Sequence, residues 1–365
     1  MPEVILDRIS KTIHKKKVLD DVSLRVEEGS FVCLLGPAGG GKTTLLKIIA
    51  GLEMPSAGAV YFDQENVTTR EPHKRDVSMV FQDFALYPHL TVFKNLASPL
   101  TAKKLSKSDI EKRVVEVAKF LKIERFLSRK INQLSGGEMQ RVAIGRALAK
   151  DARIVLFDEI FVNLDYKLRE EMRVEFKELV DKLSITTIFS SPDPEDGLSL
   201  ADKVALVHQG KILQYDPRDV VYNSPANVFA GEYFGYPEMN LINCTISGQN
   251  GDLQIITDSF SIPVRQAFGG RQVAPGGYII GLRPEHIDIA DSKPDTGIAI
   301  AGQMRLTEVI GSDTIIHVDL GQNTIQSFVP GIYRSVSDQQ IYVRFNPGAI
   351  YLFEQDSGSF VARGV

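Results

Sequence analysis

The sequence has 365 residues, of which 43% are hydrophobic and 24% are charged, with a formal net charge of −4. A chain of this length exceeds one compact core, so we expect two domains, and the mildly acidic balance gives no reason to expect nucleic-acid binding. The two cysteines do not suggest a disulfide framework, and residues 1–4 do not resemble a signal peptide. No apolar run approaches the ~20 residues of a membrane span. We therefore expect a cytosolic protein that reaches a membrane only through a partner. Short alternating strands with polar turns are predicted over residues 3–32.

A glycine-rich stretch follows a predicted buried strand over residues 31–35 and precedes a predicted helix that stops near Gly51. Its residues are Gly36, Pro37, Ala38, Gly39, Gly40, Gly41, Lys42, Thr43 and Thr44. They match G-x-x-x-x-G-K-[ST] in the strand–loop–helix context of that motif, in which backbone N–H groups and the helix dipole face phosphate oxygens. Lys42 is predicted to lie between the outer phosphates, and the Thr43 hydroxyl to ligate Mg²⁺. An ordinary glycine turn is the alternative, but the complete motif favours a nucleotide-phosphate site, which we call the phosphate loop.

A second glycine motif, Leu134-Ser135-Gly136-Gly137-Glu138, precedes a helix predicted to end near residue 150. Ser135 with Glu138 three residues later is typical of a capping box. A capped helix start with two glycines is also an anion site, so both interpretations hold together. Because a helix start needs only one of the glycines, the pair favours a functional role.

Asp158 and Glu159 end a predicted buried strand over residues 154–157. Parallel sheets present ligands at the carboxyl ends of their strands, where an Asp suits Mg²⁺ held mostly through water. The following Glu suits a base that orients an attacking water. An apolar strand ending in Asp-Glu is a weak signal by itself, and the phosphate loop strengthens it.

The pattern changes near residue 236, and from Leu241 onward short strands of period two alternate with Gly, Asn, Asp and Pro turns. This spacing predicts a small β-barrel after an α/β domain. We place the boundary at Tyr236-Pro237, which gives domains over residues 1–235 and 236–365.

The order of the phosphate loop, Phe81-Gln82, the second glycine motif and Asp158-Glu159 resembles the ATP-binding subunit of an ABC transporter. The runs RDV (75–77), FQDFALYPH (81–89) and GLRPEH (281–286) are similar to the maltose-type branch that imports sugars and polyols. The resemblance covers essentially the whole chain. It implies a P-loop ABC-type α/β domain followed by a small all-β, OB-like (TOBE-type) accessory domain.

The resemblance also implies roles in the chain's own nucleotide site. Residues 36–44 bind the ATP phosphates, while Thr43, Gln82 and Asp158 surround Mg²⁺. Glu159 is the catalytic base. ATP and Mg²⁺ are the implied cofactors.

Further implied roles concern partners. Ser135, Gly136, Gly137 and Glu138 form the signature motif, which contacts ATP held by the opposite subunit of a dimer. Asp165, in Val162-Asn163-Leu164-Asp165, crosses the dimer interface. The stretch after Gln82 receives a coupling helix from one of two transmembrane permease subunits. An extracytoplasmic solute-binding protein completes the system, and the chain is expected at the cytoplasmic face of the membrane.

One departure from the family pattern concerns the reacting centre. The family has a histidine just after the strand predicted over residues 185–190, where this chain has Pro192, which offers no donor. Ser190 or Ser191 could donate a hydrogen bond but lack the reach and charge of an imidazole. Losing one such donor costs about 10²–10³ in rate, roughly 3–4 kcal/mol. We therefore expect a site that binds ATP well and hydrolyses it slowly, in a heterodimer with an unlike subunit that retains the histidine.

Two other functions stay open. The chain could be a catalytically silent nucleotide-binding scaffold or regulatory subunit, although Glu159 and Lys42 are intact. It could also be a soluble ABC ATPase not tied to transport, although residues 83–90 and the C-terminal barrel argue against this.

Overall fold

The computed structural model describes residues 2–162, 164–183, 185–249, 252–333 and 339–365. The chain divides into two compact units, Met1–Asp219 and Val220–Val365. Among the described helices, none is both long enough and apolar enough to cross a membrane.

The first unit contains two sheets. Their strands are β1 (Val4–Ile13), β2 (Lys16–Val26), β3 (Phe31–Leu35), β4 (Ala57–Phe62), β5 (Glu65–Asn66), β6 (Val77–Val80), β7 (Ile154–Asp158), β8 (Thr186–Ser191), β9 (Lys203–His208) and β10 (Lys211–Pro217). An antiparallel sheet has the order β2-β1-β4-β5, and a mainly parallel sheet has the order β10-β9-β3-β8-β7-β6. In the second sheet, every residue of β3, β7 and β8 is buried, as expected for parallel strands covered on both faces.

Helices connect these strands and cover the parallel sheet. They are α1 (Lys42–Ala50), α2 (Val92–Ala102), α3 (Lys107–Phe120), α4 (Gly136–Ala149), α5 (Tyr166–Leu183) and α6 (Pro194–Leu200). Two residues after the end of α3, Lys122 adopts a left-handed φ of 59°, and a short 3-10 helix over Glu124–Phe126 follows. Phe157, Phe161, Phe176 and Phe189 pack edge-on or tilted between α5 and the sheet, with ring centroids 4.9–5.9 Å apart.

The second unit contains two antiparallel sheets around one core. Its elements are α8 (Val228–Tyr233), β11 (Asn240–Gln249), β12 (Asp252–Ile256), β13 (Ser261–Pro263), α9 (Val264–Phe268), β14 (Gly276–Leu282), β15 (Ile287–Ala290), β16 (Ile298–Ile310), β17 (Asp313–Leu320), β18 (Asn323–Pro330), β19 (Gln340–Phe345), β20 (Ile350–Glu354) and β21 (Phe360–Arg363). The sheet orders are β13-β12-β11-β14-β20-β21 and β15-β19-β16-β17-β18. Buried side chains of both sheets, such as Ile246, Ile280, Val318 and Phe345, form a shared core, consistent with the predicted small β domain.

The unit boundary lies upstream of the change in sequence pattern at Tyr236. The helix α7 (Arg218–Asn223) contains the boundary, and both its end and α8 are held by Arg283, which is fully buried. The Arg283 guanidinium donates to the Tyr222 carbonyl at 2.7 Å and to the Gly231 carbonyl at 3.5 Å. These contacts join two short helices to the β unit before the period-two pattern begins.

Candidate functional site

The phosphate loop occupies the turn between β3 and α1. Gly36 has a φ of 149°, and a Cβ atom on it would lie 1.9 Å from the Val207 carbonyl oxygen of β9. Gly41, at the start of α1, has a φ of 109°, and its Cβ would lie 2.7 Å from the Leu19 side chain. Only glycine combines a positive φ with neighbours this close, so the adjacent strands β2 and β9 fix the path of the loop.

Lys42 places its ammonium group at the centre of this turn. Only 3% of the residue is exposed, and its Nζ donates to the carbonyls of Gly36 at 2.7 Å and Pro37 at 3.1 Å. The same Nζ lies 3.2 Å from Glu159 Oε1. A pocket lined by Val18, residues 39–44 and Glu159 opens beside this ion pair. A buried cation with loop N–H groups around it suits an anionic phosphate chain.

Asp158 is the last residue of β7 and is 4% exposed. Its Oδ1 accepts hydrogen bonds from Thr43 Oγ1 at 2.9 Å and from Ser190 Oγ at 2.7 Å. Burial raises the pKa of Asp158 above its ordinary value, and the two hydroxyl donors oppose that rise.

The pair of Thr43 and Asp158 fits Mg²⁺, which prefers hard oxygen ligands and takes few from the protein when phosphates supply the rest. Within the described ranges there is no group of three or more His, Cys, Asp or Glu residues arranged to hold a metal ion. The donor set therefore suits an ion completed by phosphate and water rather than an all-protein metal site.

Glu159 adopts a left-handed backbone conformation with a φ of 48°. Such a conformation is unusual for a residue other than glycine. The Glu159 N–H donates to the Ser190 carbonyl at 3.0 Å and to Ser190 Oγ at 3.2 Å, which holds this conformation. Its side chain, 15% exposed, forms one wall of the phosphate-loop pocket and pairs with Lys42.

Pro192 directly follows β8, which ends at Ser191, one residue later than predicted. Pro192 is half-buried. The Ser191 hydroxyl donates to Asp196 Oδ2 at 2.5 Å and accepts from the Asp193 N–H at 3.0 Å. A serine hydroxyl has one proton, and the hydroxyls of Ser190 and Ser191 already donate theirs to carboxylates. No histidine lines the phosphate-loop pocket in the part of the chain that the structure describes.

An ion-pair cluster holds the segment after β8 against α5. Arg173 is 4% exposed, and its Nε and Nη2 lie 2.9 and 2.7 Å from Asp196 Oδ1. Arg169 donates to Asp193 Oδ2 at 2.9 Å. Burial raises the pKa of Asp196, while Ser191 and Arg173 oppose the rise. The position of Pro192 is therefore set by neighbours on both sides.

The signature motif forms the start of α4 and lies away from the phosphate-loop pocket of its own chain. Glu138 Oε2 accepts from the Ser135 N–H at 2.8 Å, and Ser135 Oγ accepts from the Glu138 N–H at 3.4 Å, which is the expected capping box. Gly136 begins the helix, and a Cβ on the buried Gly137 would lie 3.2 Å from the Leu168 side chain.

Two other predicted site residues are also outside the pocket lining. Gln82 is exposed, two residues beyond the end of β6. Asp165 is exposed, and its Oδ1 accepts from the Leu168 N–H at 3.0 Å, which caps the start of α5. Asn163, from the same predicted loop, lies outside the described residues. The structure thus brings together Lys42 and the rest of the phosphate loop with Asp158 and Glu159, and places the other candidates outside the lining of the pocket.

Arg75 supports the far end of α1, the helix that follows the phosphate loop, and sequence reasoning assigned it no role. It is 1% exposed, and its guanidinium donates to the carbonyls of Ile48 and Ile49 at 2.7 and 2.8 Å, at the C-terminal end of α1. It also donates to the Thr68 and Arg70 carbonyls at 2.8 and 2.9 Å. Burial lowers the pKa of Arg75 to about 10. A cation at this end of α1 stabilises the helix dipole and joins α1 to the segment leading to β6.

Family models match three parts of the chain. They are those of the ABC transporter over residues 19–162, the MalK OB fold domain over residues 235–287 and the TOBE domain over residues 280–353. These matches confirm the predicted fold class, an ABC-type α/β domain followed by an OB-like β domain.

Relatives match nearly the whole chain. The sulfoquinovosyl glycerol transport ATP-binding protein SmoE of Agrobacterium fabrum is 36% identical over 97% of this chain and 98% of its own length. The sn-glycerol-3-phosphate import ATP-binding protein UgpC of Ruegeria pomeroyi is 34% identical over 99% of this chain and 100% of its own. The trehalose/maltose import ATP-binding protein MalK of Thermococcus litoralis is 35% identical, with the same coverage of 99% and 100%.

A solved structure supports the first unit separately. The ATP-binding cassette MJ0796, in a dimeric post-hydrolysis state bound to ADP and Pi, matches with a TM-score of 0.53 and 32% identity, over 59% of this chain and 98% of that chain. With the phosphate loop, the buried Asp158 and the full-length relatives, this match leads to one conclusion. The chain belongs to the ABC ATPase family, with a MalK OB fold domain and a TOBE domain, and is similar over nearly its whole length to ATP-binding proteins named for the import of sugars and glycerol-3-phosphate.

Proposed function

We propose that this chain binds and hydrolyses Mg²⁺-ATP to drive import of a sugar, polyol or glycerol-like solute. In this proposal it lies at the cytoplasmic face of the membrane, held by two permease subunits, and an extracytoplasmic protein delivers the solute. The names of the relatives support the solute class, and the phosphate-loop geometry supports the nucleotide.

The chain's own residues divide the chemistry between them. The loop N–H groups and Lys42 hold the phosphates, and Lys42 exchanges its contact with Glu159 for one with phosphate oxygen. Thr43 and Asp158 would hold Mg²⁺, which when bound neutralises charge on the phosphate oxygens. Glu159, freed from Lys42, orients a water and accepts its proton. Gln82 would add a further oxygen ligand to the Mg²⁺ ion.

Slow turnover of this site is the finer part of the proposal. The single observation that carries it is made at the end of β8. Pro192, directly after the strand, has no side-chain donor, and the hydroxyls of Ser190 and Ser191 before it already donate to carboxylates. One missing donor to the developing charge costs about 10²–10³ in rate. ATP binding does not need that donor, so binding is retained while hydrolysis is slow.

The composition of the dimer determines whether it contains a fast site, because this chain has a complete signature motif but a slow nucleotide site of its own. With the signature motif and Asp165 contributing across the interface, a homodimer would contain two slow sites. Pairing with an unlike subunit that has the histidine would create one fast site, completed by Ser135, Gly136, Gly137 and Glu138 of this chain. The name of each relative refers to one ATP-binding protein, and none of these names mentions a second, unlike ATP-binding subunit. We propose the heterodimer because this arrangement would contain one competent site.

The experiment measures ATP binding and hydrolysis by the purified chain, and the subunit composition of the assembled transporter. We expect the purified chain to bind ATP with Mg²⁺ and to hydrolyse it about 10²-fold more slowly than a relative with a histidine at this position. Fast hydrolysis by the lone chain would refute the slow site. Mass measurement of the purified complex shows whether one or two kinds of ATP-binding subunit are present, and two copies of this chain would refute the heterodimer.

Two variants separate the rival functions. Glu159→Gln in the assembled complex should lower ATPase activity and solute uptake, whereas no change would favour a silent scaffold. Lys42→Ala should remove ATP binding and serves as the control for a dead site. If the chain co-purifies with no permease, it is a soluble ABC ATPase instead.

A further inference from the structure

Ser190 contacts both acidic residues of the candidate site. It lies on β8, where the parallel register places it beside Asp158, and it is fully buried. Its Oγ donates to Asp158 Oδ1 at 2.7 Å and accepts from the Glu159 N–H at 3.2 Å, while its carbonyl accepts from the same N–H at 3.0 Å. One side chain therefore holds the candidate metal ligand and the backbone of the candidate base.

Both hydrogen bonds to the Asp158 carboxylate end on the same oxygen atom. Thr43 and Ser190 both donate to Oδ1, from α1 on one side and from β8 on the other. Two donors on one oxygen restrain rotation of the carboxylate and leave the second oxygen available as a ligand. Removing Ser190 would leave this restraint to Thr43, which is itself a candidate metal ligand.

We propose that Ser190 is a positioning residue for metal binding: it orients Asp158 and fixes Glu159, so that the site binds Mg²⁺-ATP tightly although a proline follows the strand. The inference rests on the proposed function only in that the site binds Mg²⁺-ATP. It is independent of how fast that ATP is hydrolysed.

The neighbouring Ser191 provides a matched control. It is also buried on β8 and also donates to a carboxylate, but its partner is Asp196, in the cluster with Arg173. A general requirement that buried hydroxyls be paired applies equally to both serines. Mg²⁺ binding should therefore weaken only when Ser190, the serine beside Asp158, is changed.

The test measures binding of a fluorescent ATP analogue to the full chain across a range of free Mg²⁺, and in excess chelator. Loss of a residue that orients a metal ligand typically weakens metal affinity about 10–100-fold. We expect Ser190→Ala to raise the half-saturating Mg²⁺ concentration by that factor and to leave analogue binding in chelator unchanged. Ser190→Thr, which keeps the hydroxyl, should restore the wild-type midpoint, and Ser191→Ala should not shift it.

The results that overturn the inference are distinct from those that overturn the proposed function. An unchanged midpoint in Ser190→Ala, or an equal shift in Ser191→Ala, refutes the positioning role alone. A wild-type chain whose analogue binding does not respond to Mg²⁺ refutes the proposed function as well. If Ser190→Ala does not fold, Ser190→Cys, with a weak S–H donor of similar size, carries the same prediction. Titration with Mn²⁺ followed by electron paramagnetic resonance gives a second readout, in which only loss of Ser190 should weaken the bound signal.

Discussion

Replacing Pro192 by histidine should accelerate ATP hydrolysis. The residue lies between Ser191, whose hydroxyl donates to Asp196, and Asp193, whose carboxylate binds Arg169. Because these contacts involve neither the pyrrolidine ring nor its nitrogen, the segment should keep its path in the variant. The new imidazole then adds one donor at the reacting centre, worth about 10²–10³ in rate, or roughly 3–4 kcal/mol.

The cost to stability should be small. Proline lowers the conformational entropy of the unfolded chain, and its removal at a compatible position costs about 0.4–1 kcal/mol. A variant that loses this amount stays folded at assay temperatures. The gain in rate is therefore not offset by loss of folded protein.

Single-turnover hydrolysis of Mg²⁺-ATP with excess protein measures the effect, because it reports the chemical step at this site alone. Pro192→Ala removes the ring and restores a backbone N–H but adds no side-chain donor, so it should match the wild type. An equal acceleration in Pro192→Ala would show that the ring, and not the missing donor, limits the rate. A folded Pro192→His chain that binds ATP but gains no rate would refute the reasoning, and Glu159→Gln in the same background should abolish any gain.

Other predictions follow from the same contacts. Arg75→Met should destabilise the chain by about 3 kcal/mol in urea unfolding, since it leaves four carbonyls without their donor, whereas Arg70→Met removes an exposed pair worth less than about 1 kcal/mol. Equal losses in both variants would contradict this. Gly36→Ala should abolish binding of an ATP analogue because its Cβ would lie 1.9 Å from a carbonyl oxygen, whereas Gly270→Ala in the second unit, with nothing within 4 Å and no left-handed φ, should retain binding. Arg173→Met should cost about 3–5 kcal/mol in thermal or urea unfolding, because it leaves a buried carboxylate without its cation, and a loss below about 1 kcal/mol would contradict that account.

Much of the nucleotide site could be predicted from sequence because its parts are local. The phosphate loop needs nine consecutive residues, and Lys42 finds carbonyl partners five and six residues away. The capping box joins Ser135 to Glu138, three residues apart. Such contacts depend on backbone conformation within one or two turns, which residue type and spacing specify directly.

Other features had weak or misleading local signals. The helix α2 contains Pro99, a residue that normally interrupts helices, and it was not predicted. The second unit starts at Val220, upstream of the change in sequence pattern near residue 236, and Arg283 holds the end of α7 and α8. Gln82 and Asp165 were found by resemblance, and within this chain they lie at the surface.

The sequence by itself determined the nucleotide loop, the start of the signature helix, and the change from helix-and-strand to period-two strands. Only the tertiary structure decided that Thr43 and Ser190, 115 and 32 residues from Asp158, would donate to the same carboxylate oxygen. It also decided that Arg75 would bind carbonyls at the end of α1, 27 residues away. The physical reason is that strand order and register in a parallel sheet bring distant residues together, and neither is written in the spacing of any single segment.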